Sequence, residues 1–286
     1  MKEKTTESPA IRRASAPSEH GLGVARLTRS IVRQRQLVWT MARRELTDMN
    51  AGQTAGALWL LVHPLLLFAV YAVLFTVIFR VRIGDRGPGD YLAYLFAGLA
   101  PWLLTQDVLA RATQAVIGNA SIVKKVIFPA EVLVAKSLLS SLSVHGVLLL
   151  ATFVYIVTSR DSISFMLLLF PLVFFLHFVL LWGIALFLAA VSPYFRDTPE
   201  VVRIFVTINI YLMPVTYLPG MVPDTLRFVL SVNPFSSLIW CYQDVLYFGA
   251  FAHPVAWIVL GIIAAIALVL GSYVFSRLRH HFADVL

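Results

Sequence analysis

The side chains best suited to chemistry in this sequence are four ionisable residues inside otherwise apolar stretches: His63, Asp107, His145 and His177. Ionisable residues in such surroundings are costly to place and commonly functional. An enzyme needs several of them to converge, yet these four fall in four separate stretches. No pair of them has the spacing of metal ligands or of an acid and its base. The pattern therefore gives little support to an enzyme and predicts neither a catalytic residue nor a metal site.

Nucleotide binding through a phosphate loop is excluded by the sequence. The pattern G-x-x-x-x-G-K-[ST] is missing, and the dipeptide Gly-Lys does not occur. Ion-coupled carriers bury paired carboxylates or basic groups near the membrane centre and often contain two repeated halves; we find neither feature. If the protein moves a solute uphill, its energy comes from elsewhere. An ATP-driven exporter with its ATPase on a separate chain fits these absences, and no cofactor is expected on this chain.

The elements that position these residues are long apolar helices. Of the 286 residues, 59% are hydrophobic and only 13% are charged, far from the average of a soluble domain. Six stretches are free or nearly free of charge, and five of them reach the about 20 residues that cross a bilayer. They are residues 58–79, 91–110, 138–158, 163–191, 204–218 and 255–276. The sequence predicts an all-α membrane protein with six transmembrane helices.

The distribution of basic residues predicts the orientation of these helices. With the amino terminus in the cytoplasm, 18 of the 23 Lys and Arg residues lie on the inner side and five on the outer side. The positive-inside rule then places both termini in the cytoplasm. The net charge of +8 thus reflects membrane topology, and we expect no nucleic-acid partner. The single cysteine, Cys241, cannot form an intramolecular disulfide.

A cluster of helix-breaking residues follows the fifth stretch. Residues 235–251 are fairly apolar, but a seventh crossing there would put Asp244 in the bilayer and the basic carboxy terminus outside. Such a density of breakers is foreign to an uninterrupted span. The sequence therefore predicts a re-entrant helical hairpin at the outer side. The breakers are Pro214, Pro219, Gly220, Pro223 and Pro234.

The amino-terminal region divides into two parts. Residues 1–25 are rich in Ser, Pro, Ala and charge, which is typical of a disordered tail. Residues 26–50 carry a helical pattern with apolar and basic faces, as in helices that lie on a membrane surface. This amphipathic interface helix is either a lipid-facing anchor alone or also a contact for a cytoplasmic partner. Residues 51–286 form the transmembrane domain.

A short cytoplasmic helix is predicted between the second and third spans. Asn119 is suited to begin it and Pro129 to end it. An apolar stripe inside it has little of its own to pack against, so the helix should dock onto the bilayer surface or onto another protein. The residues predicted to take part in this docking are Asn119, Ile122, Val123, Lys124, Lys125, Val126, Ile127, Phe128 and Pro129.

The first span carries an aromatic face. Phe68, Tyr71, Phe75 and Phe79 recur at intervals of three and four residues, so they lie on one side of a helix. Aromatic rings can stack on sugar rings, but they also serve packing and lipid contact. Both interpretations remain open from the pattern alone.

Taken in order, these residues resemble a known family, the type-2 ABC transporter permeases that export polysaccharides and polyol phosphates, as in O-antigen, capsule and teichoic-acid export. The resemblance extends over roughly residues 30 to 280. The matching residues are Arg44-Glu45-Leu46, Gly56, Leu58, Trp59, Pro64, Tyr94, Gly98, Pro101, Trp102, Asn119, Val123, Lys124, Lys125, Phe128, Pro129, Phe195-Arg196-Asp197, Pro214, Tyr217 and Asn233-Pro234.

The resemblance implies a partner set and a location. Two copies of this chain would pair in a bacterial inner membrane, and each would carry a cytoplasmic ATPase that binds ATP and Mg. The cargo would be a polysaccharide on an undecaprenyl-type pyrophosphate or phospholipid anchor. Alternatives are a type-2 permease for a small lipid, drug or other amphiphile, and a membrane scaffold or enzyme without transport activity.

The resemblance also implies roles for particular residues. The Asn119 to Pro129 helix and the interface helix would couple the permease to the ATPases. Arg43 and Arg44 would meet the phosphates of the lipid anchor, or else serve only as membrane anchors. The channel aromatics would be Phe68, Tyr71, Phe75, Phe79 and Trp102, and the outer gate would contain Pro214, Tyr217, Pro219, Gly220, Asn233 and Pro234.

Overall fold

A computed structural model of the protein describes residues 23–48, 58–80, 88–125, 128–159, 164–217 and 221–286. Within these ranges the chain is helical and contains no β-strand, as the sequence predicts. The proposed disordered tail falls almost wholly on residues outside these ranges. The same is true of four candidate site residues: Val126, Ile127, Pro219 and Gly220.

The described residues form twelve α-helices. Short 3₁₀ or π segments extend several of them, notably a π segment at Leu74–Ile78 and another at Asp244–Phe248. The α-helices are α1 (Gly23–Arg33), α2 (Arg35–Asp48), α3 (Trp59–Val73), α4 (Pro88–Gln114), α5 (Ala120–Lys125), α6 (Glu131–Thr158), α7 (Phe170–Val191), α8 (Thr198–Asn209), α9 (Asp224–Val232), α10 (Pro234–Gln243), α11 (Pro254–Leu278) and α12 (Phe282–Val285).

Four helical segments of the described chain are long and apolar enough to cross a membrane: Asp90–Gln114, Glu131–Thr158, Phe165–Val191 and Pro254–Val285. They contain most or all of the second, third, fourth and sixth predicted spans. The first predicted span corresponds to a shorter apolar helix, Val62–Ile78. The protein is thus a multi-pass membrane protein whose fold depends on these helices.

The helix in the fifth predicted span has other boundaries than residues 204–218. It begins at Thr198, because Pro199 occupies its first turn, where a missing N–H has no cost. A 3₁₀ turn at Ile210–Leu212 ends it, ahead of Pro214. The apolar run located the helix but misplaced both ends, since proline positions and not hydrophobicity set them.

The predicted interface helix is divided into two. Helices α1 and α2 meet at Gln34, whose N–H contacts the carbonyls of Ser30 and Ile31 at 3.0 Å each. Leu27, Val38 and Ala42 are buried. Helix α1 packs against α6 and α11, whereas α2 packs against α6. The pair therefore ties the amino-terminal region to two of the apolar helices.

At Gly183 and Gly271, helices α7 and α11 pack more closely than a residue with a Cβ atom would allow. A Cβ on Gly183 would overlap the backbone of Ala267, and a Cβ on Gly271 would overlap the carbonyl of Gly183. Small residues of this kind let apolar helices approach until their backbones touch. Helix α4 packs against the other helix of this pair, α7.

Helices α9 and α10 follow α8 and lie where the sequence predicts the hairpin. Asn233 separates them, and its side-chain oxygen accepts a hydrogen bond from the N–H of Phe235 at 3.0 Å, which caps α10. Helix α10 has ten residues and is buried along most of its length. At about 1.5 Å per residue it is too short to cross a bilayer.

Asp244 follows directly after α10 and is buried. Its carboxylate accepts hydrogen bonds from the backbone N–H of His253 at 3.1 Å and from Trp257 Nε1 at 3.0 Å, and it contacts His253 Nδ1 at 2.9 Å. These donors lie at the start of α11 and compensate for the burial of the charge. Asp244 thus fixes the hairpin to α11.

Candidate functional site

A charged cluster surrounds the end of α4 nearest Gln114. Arg111 Nε lies 2.7 Å from Asp107 Oδ2, and its Nη1 lies 3.4 Å from Glu45 Oε1. Lys136 Nζ lies 3.1 Å from Glu45 Oε2. Glu45 comes from α2, Asp107 and Arg111 from α4, and Lys136 from α6. Three helices are therefore joined by ion pairs, and Glu45 takes part in two of them.

Two histidines lie beside this cluster. His145 Nδ1 of α6 is 3.7 Å from Asp107 Oδ2, and His63 of α3 lines a cavity of about 500 Å³ together with Asp107, Arg111 and His145. The four ionisable residues lie on four different helices, as the sequence predicts, but three of them line one cavity. Helix packing brings them together although they are far apart in sequence.

A second, larger cavity adjoins the first at Asp107 and Arg111. It has a volume of about 820 Å³ and lies between α2, α4 and α6. Its charged lining consists of Arg44, Glu45, Asp48, Asp107, Arg111 and Lys136. Three cations and three carboxylates balance, so the cavity has no excess charge with which to hold an anion. A cavity lined by both charges can hold water, and its cations and carboxylates can exchange ion-pair partners.

The described part of the predicted coupling segment lies between α4 and α6. In α5, Ile122 and Val123 are half-buried, whereas Lys124 and Lys125 are exposed. Phe128 and Pro129, on the far side of residues 126–127, are not helical. Because the lysines point away from the protein, α5 presents a basic surface.

Asn119 has a different contact from the predicted N-cap. Its side-chain Nδ2 donates to the carbonyl of Ala115 at 2.8 Å, and its Oδ1 accepts from Lys136 Nζ at 3.4 Å. The residue therefore closes the turn between α4 and α5 and links it to the charged cluster.

The carboxy terminus packs against α5, which sequence reasoning missed. Phe282 of α12 is 1% exposed and its ring lies 5.8 Å from that of Phe275. Arg279 Nη1 lies 3.4 Å from Glu131 Oε2 at the start of α6. A cavity of about 630 Å³ between these parts is lined by Lys124, Phe128 and Pro129 among others. The end of the chain thus supports the segment predicted to couple.

Arg43 and Arg44, the candidates to meet lipid phosphates, are exposed near the end of α2. Arg44 Nε lies 3.3 Å from Asp48 Oδ2, with 82% of the arginine side chain exposed. Arg44 also lines the larger cavity. Both guanidinium groups are accessible to a phosphate from outside the protein.

A tyrosine cluster holds the opposite end of α4. The Tyr91 hydroxyl donates to the carbonyl of Thr216 at 2.7 Å. The Tyr94 hydroxyl lies 3.1 Å from the carbonyls of both Pro214 and Tyr217. Gln243 Nε2 of α10 donates to the same Pro214 carbonyl at 2.7 Å. All of these are neutral hydrogen bonds to the loop that joins α8 to the hairpin.

The candidate gate residues that the structure describes meet at this loop or at the hairpin. Pro214 is buried, and the hydroxyl of Tyr217 donates to the carbonyl of Tyr211 at 2.9 Å. Asn233 Nδ2 donates to Asn209 Oδ1 at 2.8 Å and to the Leu212 carbonyl at 3.1 Å. Pro234 is exposed in the first turn of α10. The loop and hairpin are thus connected to the end of α8.

The five predicted channel aromatics separate into two groups. Phe68 is buried and stacks on Phe96 with centroids 4.4 Å apart. Trp102 is also buried, edge-on to Phe235. These two side chains belong to the hydrophobic core of the chain. Of the other three aromatics, Tyr71 and Phe75 are half-buried and Phe79 is exposed.

These three rings extend the tyrosine cluster along α3. The Phe75 ring lies 5.4 Å from that of Tyr91, 5.5 Å from that of Phe79 and 6.2 Å from that of Tyr71. Phe79 is 60% exposed. The aromatic surface is therefore continuous from the buried tyrosines to the outside of the chain.

His177, the fourth ionisable residue of the apolar stretches, is structural. It is buried, and its two ring nitrogens contact Thr105 Oγ1 at 3.0 Å and the Tyr242 hydroxyl at 3.1 Å. The Thr105 hydroxyl donates to the Pro101 carbonyl, so Nε2 of the neutral ring donates to Thr105 and Nδ1 accepts from Tyr242. The ring joins α4, α7 and α10. Among the described residues, no three His, Cys, Asp or Glu side chains are grouped to hold a metal ion.

The chain is similar in sequence to two known permease proteins. The chain is 25% identical to the O-antigen export system permease protein RfbA of Klebsiella pneumoniae over 256 residues, which cover 87% of this chain and 95% of that protein. It is 26% identical to RfbA of Myxococcus xanthus over 261 residues, which cover 91% and 98% of the two chains. The match thus includes nearly the full length of each relative.

The family model described as ABC-2 type transporter matches residues 36–247. This range begins in α2 and ends in the π segment after α10, so it includes both the charged cluster and the tyrosine cluster. It covers more than half of the 286 residues. The chain therefore belongs to the ABC-2 type transporter family, as a non-catalytic transmembrane subunit for which the family implies a partner ATPase.

Proposed function

We propose that this chain is the membrane subunit of an ATP-driven exporter that moves a lipid-linked polysaccharide across the bacterial inner membrane. The observation that carries the proposal is similarity over nearly the whole length of permeases named for O-antigen export. The continuous aromatic surface on α3 suits such a cargo, because rings stack weakly on successive sugars without holding any one of them.

The proposed topology has six crossings with both termini in the cytoplasm. The four long apolar segments supply four crossings, and α3 and α8 supply the other two. Helix α8 and its 3₁₀ turn are short for a span, which a bilayer accommodates by local thinning. The bias of 18 to five among the basic residues supports this orientation. Helices α9 and α10 then dip into the outer side and return.

In the proposed complex, two copies of the chain form a channel between them, and each binds a cytoplasmic ATPase that holds ATP and Mg. The basic surface of α5, with Lys124 and Lys125 exposed, would dock on the ATPase, and α2 would lie beside it. Arg43 and Arg44 would receive the phosphates of the lipid anchor, since guanidinium groups pair well with phosphate oxygens.

The proposed mechanism uses the contacts that link α5 to α4. Closure of the ATPases on ATP would displace α5. Asn119 would pass the displacement to Lys136, and the ion pairs of Glu45 would pass it to α2. The end of α4 would then shift relative to α6, and the two protomers would part along α3. The polymer would follow its anchor past Tyr71, Phe75 and Phe79.

The test is to co-express the chain with the ATPase encoded nearest to it and purify the complex in lipid. We expect a stable assembly with two copies of each chain, whose ATP turnover changes when a polyprenyl-linked glycan is added. Failure to co-purify with an ATPase would overturn the assignment of partners. A response to small amphiphiles but not to glycans would instead support a permease for small lipids or drugs.

A pair of variants tests the docking role of α5. Replacing Lys124 and Lys125 together by Glu should release the ATPase, because two exposed cations of the docking surface become anions. The matched control is Arg227→Glu, an exposed cation on α9 that the proposed topology puts on the other side of the membrane. Equal ATPase retention by both variants would contradict the docking role of α5.

A further inference from the structure

An apolar cavity of about 470 Å³ lies between α1, α2 and the long helices α6, α7 and α11. Leu138 and Leu139 of α6, Phe178 of α7 and Leu268 of α11 contribute to its walls, and Thr28 and Val32 contribute from α1. The Thr28 hydroxyl donates to the Val24 carbonyl. The cavity therefore offers water too few hydrogen-bond partners to be filled by it.

The cavity opens to the surroundings of the membrane helices. Two of its lining residues, Val32 and Phe175, are each 59% exposed, so the cavity continues onto the outer surface of the protein. Helices α6, α7 and α11 all belong to the segments that are apolar enough to span a membrane. The surrounding medium at their surface is lipid hydrocarbon, and an acyl chain matches the chemistry of the walls.

The helix that covers this cavity is strongly basic. The sequence of α1, GVARLTRSIVR, contains three arginines and no carboxylate. Arg29 and Arg33 directly follow the cavity-lining Thr28 and Val32, and both are exposed. At about 100° per residue they lie at the border of the apolar face, where long side chains extend to the headgroup level. The charge at the mouth of the cavity is thus complementary to a phosphate.

We propose that α1 and the helices beneath it form a binding site for one anionic phospholipid. An acyl chain occupies the apolar cavity, and the headgroup phosphate contacts Arg29 and Arg33. The site requires only that the chain is in a membrane. That the bound lipid belongs to the inner leaflet rests on the proposed function, which puts the amino terminus in the cytoplasm. Because α1 continues into α2, which carries Glu45, the bound lipid also supports the helix that joins the charged cluster.

The experiment uses the full chain in detergent micelles that contain either phosphatidylglycerol or phosphatidylcholine with the same acyl chains. Lipids that stay bound are counted by native mass spectrometry, and thermal unfolding is measured in parallel. We expect one phosphatidylglycerol to be retained and to raise the unfolding temperature more than phosphatidylcholine does. Equal retention of both lipids by the wild-type chain would overturn the proposal. Neither an ATPase nor a glycan is present, so this outcome is independent of the export assignment.

Two kinds of variant separate the headgroup from the acyl chain. Arg29→Gln with Arg33→Gln should weaken phosphatidylglycerol binding about 25-fold, because each basic residue near an anionic lipid contributes about 1 kcal/mol, or roughly fivefold. Arg196→Gln, an exposed arginine outside the cavity lining, is the matched control. The proposal fails if the double variant keeps its preference for phosphatidylglycerol.

Leu139→Trp should fill the cavity and remove retention of the lipid while the arginines stay in place. Its matched control is Ile262→Trp, at an exposed position of α11 outside the cavity. If Leu139→Trp does not fold, Thr28→Trp fills the same space from the exposed side of α1. A folded, filled variant that retains phosphatidylglycerol like wild type would show that the acyl chain does not occupy this cavity.

Discussion

The two ends of α4 are held by different chemistry. Near Gln114, the charged cluster joins α2, α4 and α6 by ion pairs between side chains. Near Tyr91, the tyrosine cluster joins α4 to the loop around Pro214 by neutral hydrogen bonds from hydroxyls to backbone carbonyls. One helix is therefore held by ion pairs between side chains at one end. At the other end it is held by hydrogen bonds from tyrosine hydroxyls, one of which goes from Tyr247 to the carboxylate of Asp90 at 2.8 Å.

This difference indicates where the protein can move. The charged side chains remain between 12% and 23% exposed beside cavities large enough for water, so their charges stay solvated when a partner is exchanged. Arg111 already has two carboxylates within reach and Glu45 has two cations. The tyrosine hydroxyls have backbone acceptors whose positions the loop fixes. We expect displacement at the charged end and a fixed attachment at the tyrosine end.

The largest effect is expected from Arg111→Glu. The change removes the cation between Asp107 and Glu45 and puts a third carboxylate beside them. Removal of one partner from a buried ion pair costs about 3–5 kcal/mol, and these groups are mostly buried. We expect a large fall in the unfolding temperature, measured in lipid nanodiscs, and loss of export.

The control for this variant is Arg203→Glu on α8, where the native arginine pairs with Glu200 and 73% of its side chain is exposed. That substitution should leave the unfolding temperature nearly unchanged. If both variants are equally stable, the charged cluster does not hold α4 and the comparison of the two ends fails.

The next effect concerns the pair that crosses from α2 to α6. Glu45→Lys and Lys136→Glu should each destabilise the protein by about 2–3 kcal/mol, because each puts like charges together. The double variant restores an opposite pair but not the contact of Arg111 with Glu45, so it should recover only part of the loss. Thermal unfolding of all four proteins gives the coupling free energy. Additive losses would show that the two residues act independently.

A smaller effect is expected at the other end. Tyr94→Phe removes one hydroxyl from the carbonyls of Pro214 and Tyr217, while Gln243 still donates to Pro214. Loss of one hydrogen bond with this compensation costs about 1 kcal/mol. The loss should not depend on salt, because no ion pair is involved. A loss of stability greater than that of Arg111→Glu, or one that changes with salt, would contradict the assignment of the charged cluster as the stronger, salt-dependent attachment of α4.

The sequence predicted the apolar helices well because their length and composition are determined by the bilayer. Four predicted spans lie mainly or wholly within long apolar segments of the structure, and the residues between Pro214 and Pro234 do interrupt the helix, as the density of prolines indicates. The ends of the α8 helix were not predicted, since Pro199 and the turn before Pro214 set them and hydrophobicity does not report on either.

The charged cluster was not predicted, because its members meet through tertiary packing. Glu45, Asp107 and Lys136 lie on different helices, and a single sequence does not show which helix faces face each other. One signal was present: Asp107 and Arg111 are four residues apart, which places oppositely charged side chains together on a helix. The aromatic pattern of the first span placed its four rings on one helix face. It did not show that Phe68 packs inside the chain whereas Phe79 is exposed.

The smallest effect is expected from Arg44→Gln, one residue before Glu45. Its partner Asp48 and the arginine itself have 63% and 82% of their side chains exposed, and such surface pairs contribute about 0.3–0.5 kcal/mol at most. The unfolding temperature should therefore change little, and the small change should vanish in high salt. If Arg44 meets lipid phosphates, the same variant should lower the glycan-stimulated ATP turnover of the complex although its stability is unchanged. A loss of stability as large as that of Arg111→Glu would instead make Arg44 part of the charged cluster. The exposed fraction of a side chain would then fail to distinguish a structural arginine from one that can meet a substrate.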